Sequence, residues 1–395
     1  MKKNLDKIPS TALILSGGGA RGAYEAGVLK YVREELPSRV RARMRFDVIC
    51  GTSVGAVNSC FFAAYNHMPD VQGEALVQVW KNLRIDGIYH IGLRELLNLP
   101  KFLFGSRGRG ELDDVIGASR LGGLFNTSPL EDLVRRQVRW KNIQANLASG
   151  DIKGLALTAT HVSTGTTHVF LQRSKKDKEI KWSADSQIVP FEVELGPAHA
   201  LASAAIPWLF PAVEIDGEVY CDGGLKLNTP ISPALRLGAD RLFLISLRAE
   251  EKSPVPAQPM RIDRYPSALF LLGKILNALM LDKTDYDLKR LERFNALVDL
   301  KDIREIPYRH VDNLVVRPSE DLGLVASRRL KIGGLAERVG GVVGRILSRM
   351  AESVDDQGAD VLSYLLFDAE YANDLIELGM HDADAQRQKI IDFFN

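Results

Sequence analysis

The chain has 395 residues, 46% of them hydrophobic and 26% charged, and its 51 Lys+Arg against 50 Asp+Glu leave a formal charge of +1. These proportions exclude wholesale disorder, a collagen-like fibre and a multi-span membrane protein, and so even a balance offers no bulk basic field to nucleic acid. The cysteines, Cys50, Cys60 and Cys221, are too few for a disulfide framework and lack zinc-ligand spacing.

The basic N-terminus carries an apolar run of only about five residues, short of the ~7–15 of a signal-peptide core, so a cytoplasmic protein is expected. Residues 12–15 (ALIL) form a short strand running into Ser16-Gly17-Gly18-Gly19, and 22–29 read as a helix. Residues 46–50 form a second strand ended by Gly51, and 56–64 a second helix. Strand–helix–strand–helix with tight turns predicts the parallel sheet of an α/β fold, with active groups at the C-terminal strand ends. Residues 85–127 are less regular. Residues 154–173 read as a hairpin around Ser163–Thr166, and 213–220 as another, turning at Asp216-Gly217. Residues 242–247 have the pattern of a buried strand. Pro254, Pro256, Pro259 and Pro266 then mark a linker over 249–266. The expected organisation is a main domain at 12–248 and a mainly helical region at 267–395, with a short strand at 313–318.

Three motifs carry chemistry only when taken together. Gly51-Thr52-Ser53-Val54-Gly55 is a G-x-S-x-G between a strand and a helix. Glycines on both sides leave room for a sharp turn that projects a serine over the positive end of the next helix. Gly17-Gly18-Gly19-Ala20-Arg21-Gly22 has the spacing of a dinucleotide fingerprint. That site needs an acid at the end of the next strand, where Cys50-Gly51-Thr52-Ser53 stands, and Asp47 lies at the wrong edge. The loop reads better as backbone N–H groups facing Ser53, an oxyanion hole, with Arg21 either a fixed charge there or a surface cap. Asp222-Gly223-Gly224 follows a strand-like EVYC, although an Asp-Gly turn is by itself among the commonest loop features. Asn228 and Pro230 read as the cap and first turn of a helix.

In this order the motifs resemble those of the patatin-like phospholipases: glycine-rich loop, G-x-S-x-G elbow, D-G-[AG] loop. The resemblance covers residues 12–247 and is reinforced by Ala202-Ser203-Ala204-Ala205-Ile206-Pro207 and Phe210-Pro211. Beyond 267 a weaker resemblance, carried by LLFDAEYANDLIELGMHDA, is to the C-terminal extensions of bacterial members. The family implies a three-layer α/β/α sandwich around a mostly parallel sheet, here with a mainly helical C-terminal extension. It also implies Ser53 as nucleophile and Asp222 as its partner in a dyad. By the same resemblance Gly17, Gly18, Gly19, Ala20, Arg21 and Gly22 form the oxyanion loop, Gly51, Thr52, Val54 and Gly55 frame the elbow, and Gly223 and Gly224 complete the aspartate loop.

Most serine hydrolases use a histidine base, yet none of His67, His90, His161, His168, His199, His310 and His381 lies in a motif that marks one. An aspartate near pKa ~3.9 is a weak base at neutral pH, so a dyad requires Asp222 partly desolvated and within hydrogen-bond reach of Ser53. The implied reaction is hydrolysis of a lipid or lysolipid ester, of phospholipase A or lysophospholipase type, through an acyl-enzyme. No metal or organic cofactor and no nucleic acid partner are expected. An acyltransferase or thioesterase using the same acyl-enzyme, and a non-catalytic lipid-binding regulator, are the alternatives.

Residues 93–104, with Lys101, Arg107 and Arg109 beside them, read as a cap helix or as peripheral contact with the inner face of a membrane. The apolar run 268–281 is short of the ~20 residues that span a bilayer and reads as a core helix or a homodimer face. Arg39, Arg41, Arg43 and Arg45 read as a solvated connection, with anionic head groups the alternative.

Overall fold

The computed structural model describes residues 9–90, 123, 125–175, 182, 187–249, 268–280, 283–299, 309–332 and 359–395. Residues 93–104 and the proline-rich stretch 250–266 lie outside that set. Strand β1 (Thr11–Leu15) is buried throughout, as a continuous apolar run requires of a central parallel strand. Side chains on a strand alternate, so Ala12 and Ile14 enter one core while Leu13 and Leu15 enter the other.

The chain then runs through α1 (Ala23–Glu34), α2 (Ser38–Arg41), β2 (Val48–Thr52), α3 (Val54–Ala64) and α4 (Pro69–Lys81). Helices α5 (Ser128–Gln137) and α6 (Trp140–Ser149) lead to β3 (Gly154–His161), β4 (Thr167–Arg173) and β5 (Ile188–Glu192). Next come α7 (Pro197–Ser203), β6 (Val213–Ile215), β7 (Glu218–Asp222), α8 (Ile231–Arg236) and β8 (Arg241–Ile245). The remainder supplies α9 (Ala268–Met280), α10 (Lys283–Asp299), β9 (Asp312–Val316), α11 (Leu322–Ile332), α12 (Ala359–Leu365), α13 (Ala369–Ala385) and α14 (Arg387–Phe394).

The strands form one sheet in the order β5-β4-β3-β2-β1-β8-β9, with β7 on β3 and β6 on β7. Five of the strand pairs are parallel and three antiparallel. Helices α1, α3, α4 and α13 bury their apolar faces on one side, and α8 and α10 cover the other. This is the α/β/α sandwich with a mostly parallel sheet that was expected. Both hairpins are present, and the turn of β6–β7 places Asp216 and Gly217 at φ 53° and 82°, the conformation that makes Asp-Gly a hairpin signal.

The chain beyond 267 does not merely follow the sheet. Strand β9 pairs with β8 along its length, and Tyr371, Ile376, Ile390 and Phe394 enter the same core as Leu13 and Phe243. Helix α13 lies against α1 so closely that a Cβ on Gly27 would stand 2.1 Å from the Ile376 carbonyl oxygen. Among the described residues no helix is long and apolar enough to cross a membrane.

Candidate active site

Strand register brings the motifs together. Strand β2 ends opposite β3 at Thr52↔Thr158, but β3 continues to His161. Strand β7 takes up the edge that β2 leaves vacant, pairing Asp222 with Ala159. The residue after Thr52 is Ser53, so this exchange of partners sets serine and aspartate side by side. On the other flank Leu15 pairs with Gly51, which carries the glycine loop past the same point.

Ser53 caps α3 at φ 55° and ψ −126°, a conformation a non-glycine residue adopts only under constraint, at a cost of order 1–3 kcal/mol. The constraint comes from both neighbours of the turn. A Cβ on Gly55 would lie 2.4 Å from the Leu15 carbonyl oxygen, and one on Gly51 would lie 2.2 Å from that of Gly55. Thr52 is buried and its hydroxyl donates to the Leu227 carbonyl at 2.9 Å, tying the turn to the loop after Asp222. Val54 lines the cavity beyond the serine and packs over Gly22.

The Ser53 hydroxyl donates to Asp222 Oδ2 at 2.6 Å. Asp222 is fully buried; its Oδ1 accepts from the Gly224 N–H at 2.7 Å, and its main chain is held by the Ala205 carbonyl and the Thr160 hydroxyl. Gly223 fits against Thr158 with no room for a side chain. Burial raises the Asp222 pKa from 3.8 to about 7, against the opposing pull of the Ser53 and Gly224 hydrogen bonds. All seven histidines are described, and none bonds to Ser53 or Asp222. His161 and His168 stack on each other in the β3–β4 hairpin, bonded to Glu218 and Tyr220.

The glycine loop turns beside the serine. A Cβ on Gly17 would reach within 2.9 Å of Ser53 Cβ, so only glycine permits this approach. Gly19 opens a 3-10 turn (Gly19–Gly22) that also holds Ala20 and Arg21, all of it buried. The Arg21 N–H is taken by the Gly18 carbonyl at 3.2 Å. Among the described residues the Gly18 and Gly19 N–H groups donate to no protein acceptor.

The Arg21 side chain is neither a surface cap nor turned toward Ser53. Its Nε donates to the Ser363 hydroxyl at 2.8 Å, its guanidinium lies 4.2 Å from the Tyr364 ring centre, and Nη2 reaches Asn277 at 3.4 Å. It anchors the loop to α12 and α9. Asn228 does not cap a helix either; its Nδ2 donates to the Gly17 carbonyl at 3.2 Å, and its own carbonyl accepts from the Gly17 N–H.

An apolar cavity opens at Ser53, walled by Val57, Phe61, Trp80, Leu133 and Phe367. Its polar wall is Asn58, which bonds to the Gly22 carbonyl, the buried Glu25 and the Trp80 indole. Burial pushes the Glu25 carboxyl well above its ordinary range, although Asn58 opposes the shift. Several of these participants escaped the motif reading. Ser203, whose hydroxyl accepts from the Ser53 N–H at 2.9 Å, stood within a run already singled out, and its neighbours pointed to it. Asn58, Tyr364 and Phe367 sit in ordinary helical or loop contexts that carry no such signal.

The patatin-like phospholipase family model matches residues 13–235. The chain belongs to the patatin-like phospholipase family. A cGAMP-activated phospholipase of Pseudomonas aeruginosa is 30% identical over 219 residues, 55% of this chain and 53% of that protein. An uncharacterised NTE family protein of Mycobacterium tuberculosis is 26% identical over 276 residues, 66% of this chain and 58% of its own. A probable lipid hydrolase of Invertebrate iridescent virus 6 is 24% identical over 229 residues, 57% and 63% of the two chains. The patatin-like chain thus spans between 53% and 63% of the length of these relatives.

Proposed function

We propose that this patatin-like chain is a serine acyl-ester hydrolase of lipids, of phospholipase A or lysophospholipase type, working through Ser53 and Asp222. The observation that carries the reading is the 2.6 Å hydrogen bond from a strained serine hydroxyl to a fully buried aspartate, at the end of an apolar cavity. A carboxyl raised to about 7 is half ionised near neutral pH and far better matched to a serine proton than an ordinary aspartate. Family membership and relatives named as phospholipase and lipid hydrolase support the substrate class.

In this mechanism the ester acyl chain lies along Val57, Phe61 and Phe367, which exclude water. Ser53 Oγ attacks the carbonyl carbon while its proton passes to Asp222 Oδ2. The Gly18 and Gly19 amides, unclaimed by protein acceptors among the described residues, donate to the oxyanion, each worth about 10²–10³ in rate. Collapse breaks the ester bond and the alcohol leaves with the proton from Asp222. Water, deprotonated by Asp222, then releases the fatty acid and regenerates Ser53.

The test is hydrolysis of short and long p-nitrophenyl esters and of a lysophospholipid by wild type, Ser53→Ala and Asp222→Asn. Intact-mass measurement after a fluorophosphonate probe accompanies it. The reading expects one covalent adduct, mapped to Ser53, and near-complete loss of turnover in both variants. An adduct elsewhere, or an active Ser53→Ala, sinks it. Adding alcohol acceptors to the same assay separates hydrolysis from acyl transfer.

A further inference from the structure

At the opposite, N-terminal edge of the parallel strands lies a second cleft of about 440 Å³, within the size range of small-ligand sites. Its walls come from the end of α1, from α2, from the segment leading into β2 and from the start of α4. Three arginines line it, Arg33, Arg41 and Arg45, with two aspartates, Asp70 and Asp151. Guanidinium charge therefore exceeds carboxylate charge.

Arg33 is the unusual member. It is 3% exposed, and its one hydrogen bond among the described residues runs from Nη1 to the Met44 carbonyl at 3.2 Å. Its Nε is buried with no hydrogen-bond partner among the described residues, and the carboxylate that acts on it is Asp70, through space and without an ion pair, its side chain 88% exposed. The rings of Phe46 and Phe62, 5.0 and 5.4 Å away, offset part of the desolvation, yet a buried cation is costly unless an anion meets it. Arg41 is oriented by the Leu36 and Arg33 carbonyls at 3.0 and 3.1 Å, and its one ionic contact among the described residues is the same exposed Asp70, at 3.6 Å. Asp151 is engaged by the Ser149 hydroxyl at 2.6 Å. Arg45 is exposed and makes no hydrogen bond or ion pair among the described residues. An arginine fork matches the oxygens of a phosphate two at a time, and three arginines against two aspartates leave the cleft a net positive charge to meet one.

We propose that this cleft is a second ligand site that binds a phosphate group, on a soluble small molecule or a lipid head group, between Arg33, Arg41 and Arg45. Phe46, which leads into β2, lines it, and the Arg33 guanidinium lies 5.4 Å from the ring of Phe62 of α3; β2 and α3 meet at Ser53. Binding there does not depend on the catalytic reading, since neither Ser53 nor Asp222 takes part.

Calorimetric titration of the full chain with inorganic phosphate, and sedimentation with phosphatidylcholine vesicles with and without phosphatidic acid, test it. Wild type, Arg41→Ala, Arg45→Ala and Arg33→Met are compared, with Ser53→Ala as a control. Saturable phosphate binding, weakened about tenfold in both Arg41→Ala and Arg45→Ala and unchanged in Ser53→Ala, supports the site with a soluble ligand. Selective sedimentation with phosphatidic acid, lost in the same two variants, supports it with a lipid ligand. The proposal is overturned if wild type neither binds phosphate saturably nor prefers phosphatidic acid, or if Arg41→Ala and Arg45→Ala bind as wild type does. Should Arg33→Met fail to fold, the two more accessible arginines decide alone.

Discussion

Replacing Asp222 by asparagine separates its chemistry from its cost to the fold. Asparagine keeps an oxygen for the Gly224 N–H and can turn its amide toward Ser53 Oγ, so the buried site stays filled and bonded. What it cannot do is accept the serine proton, and loss of a general base costs about 10²–10⁴ in rate. On the proposed mechanism Asp222 must be ionised to take the serine proton. With a pKa of about 7, turnover should fall roughly tenfold per pH unit below neutrality, to about a hundredth at pH 5. Stability moves the opposite way. A carboxyl raised from 3.8 to about 7 keeps its proton in the native state while the unfolded chain has lost it, so stability present below pH 3.8 is lost as pH rises through 7. That displacement corresponds to at most roughly 4 kcal/mol. Asp222→Asn should therefore be nearly inactive, yet more stable than wild type at pH 8, with the gap closing toward pH 4. Initial rates on a p-nitrophenyl ester between pH 5 and 9, with urea melts at pH 4 and 8, measure both. A variant within tenfold of wild-type activity, a flat acid limb, or a variant less stable at pH 8 would refute the argument.

Gly19→Ala forces a Cβ to within 2.3 Å of the Tyr364 carbonyl at φ +58°; a loss of at least about 2 kcal/mol in urea unfolding is expected, with a larger loss of turnover. Arg21→Met removes the guanidinium bonds to Ser363 and Asn277 and the cation over the Tyr364 ring, and should cost about 1–3 kcal/mol, seen as a lower melting temperature. Phe367→Ala removes the ring stacked on Trp80 and widens the apolar cavity at Ser53; if that cavity takes the acyl chain as proposed, kcat/KM across a series of ester chain lengths should shift toward longer chains, at a cost of about 3–5 kcal/mol in stability. Ending the chain at residue 358 strips Tyr371, Ile376 and Phe394 from the main core, and a cooperative melt with retained ester hydrolysis would show that reasoning wrong.

Strands β1 and β2, the helices that follow them and both hairpins were legible because each is written locally: an apolar run of strand length, a glycine where the chain turns, an Asp-Gly at a hairpin tip. The serine turn was legible for the same reason. Arg21 was not, because its partner Ser363 lies 342 residues away and nothing near Arg21 distinguishes an anchor from a surface cap. Asn228 illustrates the same limit, since a residue two places before Pro230 has the pattern of a helix cap whether or not its side chain turns back to Gly17.

The sequence by itself determined the α/β order of the core elements, the glycine loop and the residues that could react, since backbone preference and glycine spacing act within a few positions. Only the tertiary structure decided what those residues face. Ser53 and Asp222 are 169 positions apart, and they meet because β3 outruns β2 and hands its edge to β7. The carboxyl is raised because packing withdraws it from water, and the Arg33 Nε is left without a hydrogen-bond partner among the described residues because the segments packed around it withdraw it from water. Burial and sheet register arise from the whole chain at once, so no local stretch of sequence carries them.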